Sequence, residues 1–113
     1  MLTTLDGRVV CPSCVVADTA LSRLRGLLGR RGLPSGEGLL LRPSPSIHTF
    51  FMRFPIDVVF LDRELRVLRV ADAVKPWRAV ACRGARAVLE LAAGEASARG
   101  IAVGERLSLR DDP

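Results

Sequence analysis

The residues best suited to chemistry lie in one short segment, SIHTFFMRFPIDVVFLD, which runs from Ser46 to Asp62. This segment holds His48, the sole histidine of the chain, together with Arg53, Asp57 and all four phenylalanines. Ligand pockets combine apolar walls with a few polar groups that fix the ligand, and the segment contains both kinds of side chain. It therefore predicts a binding pocket.

We expect this pocket to bind a small or extended anionic or amphiphilic ligand, or a short peptide, without catalysis. The expected ligand-binding residues are Arg30, His48, Phe51, Met52, Arg53, Asp57 and Trp77. A structural interpretation stays open beside this one, in which the segment is buried between layers and His48 hydrogen-bonds a carbonyl group. Arg53 would then need an acid such as Asp57 or Glu90, because burying a guanidinium without a partner is strongly destabilising.

Acid–base catalysis has less support in the sequence. The nearest carboxylate after His48 is that of Asp57, which lies beyond Pro55. The sequence has no Ser–His–Asp order, no paired carboxylates at helical spacing and no His-x-x-x-His motif. An enzyme that uses His48 with Asp57 or Glu90 remains an alternative, but we predict no catalytic residue and no cofactor.

The cysteines suggest a third function, a zinc-stabilised interaction module. Cys11 and Cys14 form a C-x-x-C in CPSC, which we predict to be a tight turn. A redox-active pair sits at a helix N-terminus, but the predicted helix begins only near Thr19. Zinc needs four ligands, and Cys82 and His48 are the candidates to complete the site. An incidental pair of thiols is the alternative.

Composition indicates one globular domain over residues 1–113, with 49% apolar and 26% charged residues. The net charge is +5 and permits an anionic partner. Its arginines are scattered along the chain, however, so nucleic acid is disfavoured as a partner. No oligomeric state is predicted.

No transmembrane segment is predicted, because apolar runs such as Val58 to Leu61 are far shorter than the ~20 residues that span a bilayer. The N-terminus, MLTTLDGRVV, has neither a basic start nor an apolar stretch of signal-peptide type. We therefore expect a cytoplasmic location.

The elements that must position these residues are mainly short strands. GLLLR and IDVVFLD lack polar alternation and are typical of strands buried on both faces. The other predicted elements are a type I′ hairpin turn at Asp6-Gly7, a turn at Asp62–Leu65, a strand with one exposed face in RELRVLRVADAV, a strand around Ala87–Leu91, a helical turn in GEASARG closed by Gly100, and a last strand in GERLSLR.

One main helix is predicted from Thr19 to Arg31, because leucines at positions 21, 24, 27 and 28 recur at helical spacing. Asp18 or Thr19 supplies its cap, and Gly32 ends it. The expected fold class is mainly β (α+β). We expect a compact β-sandwich or partly open barrel of short strands with this helix packed on it.

Five motifs occur along the chain in this order: RGLLGRRGLPSGEGLLL, FFMRFPIDVVFLD, KPW, AVLELAAGEASARGI and GERLSL. Together they resemble the domain of unknown function 192 family of bacteria and archaea, over a core of about Val15 to Leu109. The family positions kept here are Arg30, Met52, Arg53, Pro55 and Asp57. The resemblance implies a small mainly-β fold with a helix packed on it, and it implies no function.

Overall fold

The computed structural model describes residues 1–19 and 30–110, and strands dominate both ranges. The elements are β1 (Leu2–Thr4), β2 (Val9–Cys11), β3 (Ser13–Ala17), β4 (Glu37–Leu41), β5 (Ser46–His48), β6 (Ile56–Leu61), β7 (Val67–Val74), β8 (Ala79–Ala81), β9 (Ala87–Ala92), α1 (Glu95–Ala98) and β10 (Leu107–Leu109). The expected mainly-β class is confirmed. The helix expected from Thr19 to Arg31 falls mostly on residues 20–29, outside the described residues. Within the described ranges, no helix has the length and apolar character that crossing a bilayer requires.

The strands form three sheets. The largest has the order β3-β4-β9-β6-β7, a second has the order β10-β1-β2, and β5 pairs with β8. β3 and β4 are parallel, whereas the other neighbours in the five-stranded sheet are antiparallel. No closed barrel forms within the described residues, which agrees with the expected sandwich or partly open barrel.

The middle of the five-stranded sheet is buried on both faces. Every residue of β6 is buried, and so is β9 from Ala87 to Leu91. Unbroken burial of this kind follows from runs with apolar side chains on both faces. Each fully buried valine, leucine or phenylalanine contributes about 1.5–3 kcal/mol. The two strands expected to be buried, GLLLR and IDVVFLD, are confirmed as β4 and β6.

Side chains of the five-stranded sheet alternate between two apolar cores, because successive residues of a strand point to opposite faces. Val59 lies in the first core, to which Leu2 of the three-stranded sheet also belongs. Phe60 lies in the second core together with Met52, and the half-buried Ile47 of β5 packs against it. The five-stranded sheet therefore lies between the three-stranded sheet and the segment that carries β5.

The hairpin expected at Asp6-Gly7 forms, with β1 and β2 antiparallel. Gly7 donates a backbone hydrogen bond to the Thr4 carbonyl oxygen (3.1 Å) and has a φ of 94°. The expected type I′ turn is wrong, since that turn needs positive φ at both central residues and Asp6 does not have it. The left-handed glycine instead closes a three-residue loop.

Five further expected elements are confirmed. They are the turn at Asp62–Leu65, the strand with one exposed face (β7), the strand at Ala87–Leu91 (β9), the helical turn in GEASARG (α1) with Gly100 at φ 69°, and the last strand (β10). β5 and β8 were not expected as a pair, and they are the strands that carry the candidate site described below.

Asp57 is a fully buried carboxylate that joins three elements. From β6, its Oδ1 accepts a hydrogen bond from the Ala73 N–H in β7 (2.8 Å), and its Oδ2 accepts one from the Ala96 N–H in α1 (2.9 Å). Ala73 has a φ of 47°, so the carboxylate stabilises an irregular point of β7 as well as the first turn of α1. Charge-assisted hydrogen bonds of this kind offset the desolvation of a buried carboxylate.

We expect Asp57→Asn to lower the free energy of unfolding by about 1–3 kcal/mol, because the amide leaves one of the two backbone N–H groups without an acceptor. Chemical denaturation measures this change as a lower midpoint with an unchanged slope. Asp72→Asn is the matched control, since Asp72 is exposed and loses the same charge. Equal stability of the Asp57 and Asp72 variants would contradict the anchoring role of Asp57.

Candidate functional site

Two separate stretches of chain, residues 46–54 and 75–81, come together to form the candidate site. β5 and β8 pair antiparallel, with His48 opposite Ala79. Beyond the strands the pairing continues, because the Thr49 N–H donates to the Arg78 carbonyl oxygen (2.7 Å) and the Trp77 N–H donates to the Thr49 carbonyl oxygen (3.0 Å). The loops that follow β5 and precede β8 are thereby held side by side.

The buried Thr49 side chain links these two loops by hydrogen bonds. Thr49 is fully buried, and its hydroxyl donates a hydrogen bond to the Lys75 carbonyl oxygen (2.6 Å). The same oxygen accepts a hydrogen bond from the Arg78 N–H (2.8 Å). The hydroxyl thus acts as both donor and acceptor towards the backbone of the opposite loop, and the loop carrying Trp77 is fixed at two points.

Four rings lie in a continuous row on the outer side of this junction. The His48 and Phe50 rings stack with centroids 5.0 Å apart, and Phe50 stacks on Trp77 at 5.8 Å. The Phe51 ring also lies against Trp77, with centroids 4.7 Å apart and the planes tilted by 59°. We call these residues, His48, Phe50, Phe51 and Trp77, the aromatic patch.

The aromatic patch is exposed, and part of its backbone is strained. Phe51 and Trp77 expose 69% and 56% of their surface, and Phe50 exposes 39%. Phe51 and Trp77 also have φ values of 66° and 65°. The left-handed conformation costs roughly 1–2 kcal/mol for a residue with a side chain. These residues are exposed, so packing in the core does not account for their strained backbone. Backbone strain and exposed apolar side chains together are typical of a binding surface.

The surroundings of the patch are cationic. Residues 46–56 and 75–83 contain no aspartate or glutamate, but they carry Arg53, Lys75, Arg78 and Arg83, all of which are exposed. The Arg78 guanidinium folds back over its own loop, with Nη1 at 3.4 Å from the carbonyl oxygens of Pro76 and Trp77. An anion that approaches the rings would therefore meet only positive side chains from these two stretches.

A groove of about 460 Å³ runs beside the patch along β5 and β8. Its lining is mainly apolar and consists of Ser46, Ile47, His48, Phe50, Ala79, Val80 and Ala81. Small-molecule sites typically have volumes of about 300–1,000 Å³ with apolar walls, so the groove is large enough for part of an organic ligand.

The structure brings some of the expected site residues together and separates others. His48, Phe51 and Trp77 meet in the aromatic patch, and Arg53 is exposed in the same loop. Met52 instead points into the second core, and Asp57 uses both carboxylate oxygens within the fold. Arg30 pairs with Glu37 at 3.8 Å. The structural interpretation of a buried Arg53 paired to an acid is wrong, because its side chain is exposed.

Phe50 and Thr49 belong to the candidate site but were not predicted from the sequence. Phe50 adjoins Phe51, and its proximity to Trp77 could not be derived from local spacing because the two rings lie on different stretches of chain. Thr49 carried a weak signal, since it is a small polar residue directly before two phenylalanines. Its partners are backbone groups of Lys75 and Arg78, which lie 26 and 29 residues further along the chain.

Glu90 is the one further carboxyl group considered for acid–base chemistry, and it lies in the middle of β9, where it is only 4% exposed. Burial raises the pKa of its carboxyl group from 4.5 to about 7. Within residues 1–19 and 30–110, no hydrogen bond joins His48 to Glu90 or to Asp57, so the contact that the enzyme alternative requires does not form there.

Cys11 and Cys14 interact with each other. Cys11 is buried at the end of β2, with its sulfur 3.7 Å from the Ser13 carbonyl oxygen. A hydrogen bond between the two thiols lowers the pKa of Cys11 and raises the pKa of Cys14. The expected tight turn is wrong in extent, because Cys14 lies in β3 and only Pro12 separates the two strands.

The structure does not assemble the ligand set suggested for zinc. Cys82 packs against the second core, whereas Cys11 belongs to the first. His48 stacks on Phe50 in the aromatic patch. In the part of the chain that the structure describes, no three histidine, cysteine or acidic residues group closely enough to hold a metal ion. Cys82 and His48 therefore do not complete a site with Cys11 and Cys14.

The raised pKa of Glu90 predicts a loss of stability as pH rises. The unfolded chain releases this proton near pH 4.5, whereas the folded chain keeps it up to about pH 7. The stabilising effect of the neutral form is therefore complete below pH 4.5 and disappears as pH rises through about 7, a change of about 3 kcal/mol.

Glu90→Gln should remove this dependence, because glutamine stays neutral at every pH. Between about pH 5 and pH 8, the variant should gain roughly 2–3 kcal/mol in unfolding free energy relative to the parent protein. Denaturation curves at both pH values measure the difference, with Glu64→Gln at an exposed site as the control. Parallel pH profiles of the Glu90 variant and the parent would contradict the prediction.

Thr49→Val should loosen the aromatic patch, because valine has nearly the same shape but makes neither side-chain hydrogen bond. We expect a loss of about 1–3 kcal/mol in unfolding free energy and a faster, wider motion of Trp77. Fluorescence anisotropy of Trp77, the sole tryptophan, measures that motion directly. Thr49→Ser keeps the hydroxyl and should preserve the anisotropy; a loss as large as that in the valine variant would show that the hydroxyl is not the fastening group.

The chain is similar to several archaeal proteins. A UPF0127 protein of Pyrococcus furiosus is 33% identical over 115 residues, which cover 95% of each chain. A UPF0127 protein of Thermococcus sibiricus is 32% identical over 99 residues, which cover 83% of this chain and 64% of the relative. For a third, from Pyrococcus horikoshii, the identity is 41% over 66 residues, or 56% of each chain. The chain thus spans less than two thirds of the latter two relatives.

A solved structure has the same fold. A protein of unknown function from Novosphingobium aromaticivorans superposes with a TM-score of 0.82 at 26% identity, covering 96% of this chain and 81% of that protein. The DUF192 family model, described as Uncharacterized ACR, COG1430, matches residues 1–109. The match includes Cys11 and Cys14, which precede the core expected from Val15. Since it covers nearly the whole chain, this protein belongs to the uncharacterised DUF192 family, as the resemblance implied.

Proposed function

We propose that this protein is a non-catalytic binding protein for an anionic amphiphile, such as a long-chain carboxylate. The observation that carries the proposal is the aromatic patch, in which exposed rings on a strained backbone belong to two stretches of chain that also carry exposed cations and no acid. In this function the rings and the groove take the apolar chain of the ligand. The guanidinium of Arg53 and the ammonium of Lys75 attract its head group.

The arrangement of the rings favours an alkyl chain, and not a nucleic-acid base, as the ligand of the patch. Single-strand binders offer open ring faces on which successive bases stack. Here the faces of His48, Phe50 and Trp77 are turned towards one another at 5.0 and 5.8 Å, so much of their stacking surface is already used. What the patch offers is a contiguous apolar surface of ring edges that continues into the groove along β5 and β8.

A short peptide is the second candidate, and one observation favours it. Within the described residues, β5 and β8 pair only with each other, so each has an edge to which an extended peptide could add as a strand. Both strands have only three residues, however, which limits the number of backbone hydrogen bonds that the added strand could form. The groove and the cations therefore favour the amphiphile.

Trp77 provides a direct test, because it is the sole tryptophan and lies inside the patch. Decanoate, titrated below its micelle concentration, should give a saturable blue shift of the tryptophan emission as the indole leaves water. Decyl maltoside, which has a similar chain but an uncharged head, should bind more weakly, and acetate should not bind. Absence of a saturable shift with decanoate would contradict the proposal.

Phe51→Ser should weaken decanoate binding by about tenfold, since the removed ring is worth about 1.4 kcal/mol of contact. Leu5→Ser is the matched control, because Leu5 is 61% exposed and lies in the β1–β2 loop, outside the patch. Its dissociation constant should equal that of the parent protein. If the two serine variants bind decanoate equally, the binding surface lies elsewhere.

A further inference from the structure

A second candidate site lies at one edge of the five-stranded sheet. β3, β4 and β6 all end at this edge, and β9 begins there, with Ala17 opposite Leu41 and Leu61 opposite Ala87. The residues that follow or precede these strand ends surround a groove of about 450 Å³. We call this the arginine groove. The described residues that line it are Asp18, Arg42, Pro43, Asp62, Arg63, Leu65, Arg86 and Ala87. None of these residues belongs to the aromatic patch.

Backbone hydrogen bonds fix the positions from which the three arginines extend. The Arg42 N–H donates to the Ala17 carbonyl oxygen (3.1 Å), and the Arg86 N–H donates to the Leu61 carbonyl oxygen (2.8 Å). Arg63 lies in the turn after β6. One oxygen of Asp62 accepts hydrogen bonds from the N–H groups of Glu64 (2.8 Å) and Arg66 (2.9 Å), and these bonds hold that turn.

The charges around the groove favour an anion. Among the described residues that line the groove, three guanidinium groups face two carboxylates, and one oxygen of Asp62 is already bonded to two backbone N–H groups. Asp18 and Arg42 are engaged in contacts of their own. Over residues 1–19 and 30–110, the side chains of Arg63 and Arg86 form neither an ion pair nor a hydrogen bond. Two guanidinium groups from different segments are thus available at the same groove.

We propose that the arginine groove binds a small molecule that carries a phosphate group. A phosphate dianion has the charge and the oxygen geometry to accept paired N–H groups from two guanidinium groups, whereas a carboxylate has one charge and two oxygens. Leu65, Pro43 and Ala87 form an apolar wall beside the arginines, which suits the organic part of a phosphate ester. Arg63 and Arg86 bind the phosphate, and Arg42 adds to the positive potential.

Phenyl phosphate is a suitable probe, observed by phosphorus NMR or calorimetry at low ionic strength. The parent protein should bind phenyl phosphate at a single site, bind inorganic phosphate more weakly because it lacks the apolar part, and bind benzoate least. Inorganic phosphate binding as tightly as phenyl phosphate would refute the apolar wall, and benzoate binding as tightly would refute the preference for phosphate. Failure of the parent protein to bind phenyl phosphate would overturn the proposal.

Arg63→Gln and Arg86→Gln should each weaken phenyl phosphate binding by about tenfold, and the double variant should abolish it. Arg31→Gln is the matched control, because Arg31 is exposed, loses the same charge and is neither a lining residue of the groove nor part of the stretches that carry the patch. Its affinity should change less than twofold. An equal loss in all three single variants would overturn the proposal, since it would indicate an effect of net charge alone.

Both replaced arginines are exposed, so the variants should keep the thermal midpoint of the parent protein, which circular dichroism checks. They should also keep the decanoate response of Trp77, because the groove and the patch share no residue. A double variant that keeps both properties and loses phenyl phosphate binding assigns the loss to the groove. One that unfolds or loses both ligands together would show that these arginines are structural.

Discussion

The buried hydroxyl of Thr49 is the contact on which the candidate site depends. Local propensity does not bring residues 46–54 next to residues 75–81, because the strands β6 and β7 lie between them in the chain. The hydroxyl donates to the Lys75 carbonyl oxygen and accepts from the Arg78 N–H, so it satisfies two backbone groups on either side of Trp77. A buried backbone group without a partner is costly, and the Trp77 loop is therefore held to one position.

This fixed position explains how the rings can remain exposed. Apolar side chains on a flexible loop would collapse onto the nearest apolar surface, whereas the left-handed conformations of Phe51 and Trp77 direct their rings away from the core. Met52, which follows Phe51 in the chain, packs into the second core and anchors its loop. Within this segment, Met52 therefore holds the loop in place, whereas Phe50 and Phe51 form the exposed surface.

The sequence predicted most of the fold and only part of the site, for physical reasons that differ between residues. β6 was predictable because its unbroken run of apolar side chains has no other stable place than the middle of a sheet. Asp57 was misleading, since a carboxylate beside aromatic residues suggests a ligand, and only the distant N–H groups of Ala73 and Ala96 reveal its structural role. Thr49 depends in the same way on partners that are remote in sequence. Long-range backbone contacts therefore decide which polar residues are free to bind.

The scattered arginines, which disfavour nucleic acid, are compatible with small anions. Binding a nucleic-acid backbone requires many phosphate contacts, and hence a continuous stripe of cations. A single anion requires two or three cations, and a fold can collect these from separate strand ends or loops. Arg63 and Arg86 line one groove because β6 and β9 are antiparallel neighbours, and Arg53 and Lys75 lie on the two stretches that the pairing of β5 with β8 brings together. Part of the dispersed positive charge thus lies at two small surfaces of different chemistry, one lined by rings and the other by guanidinium groups.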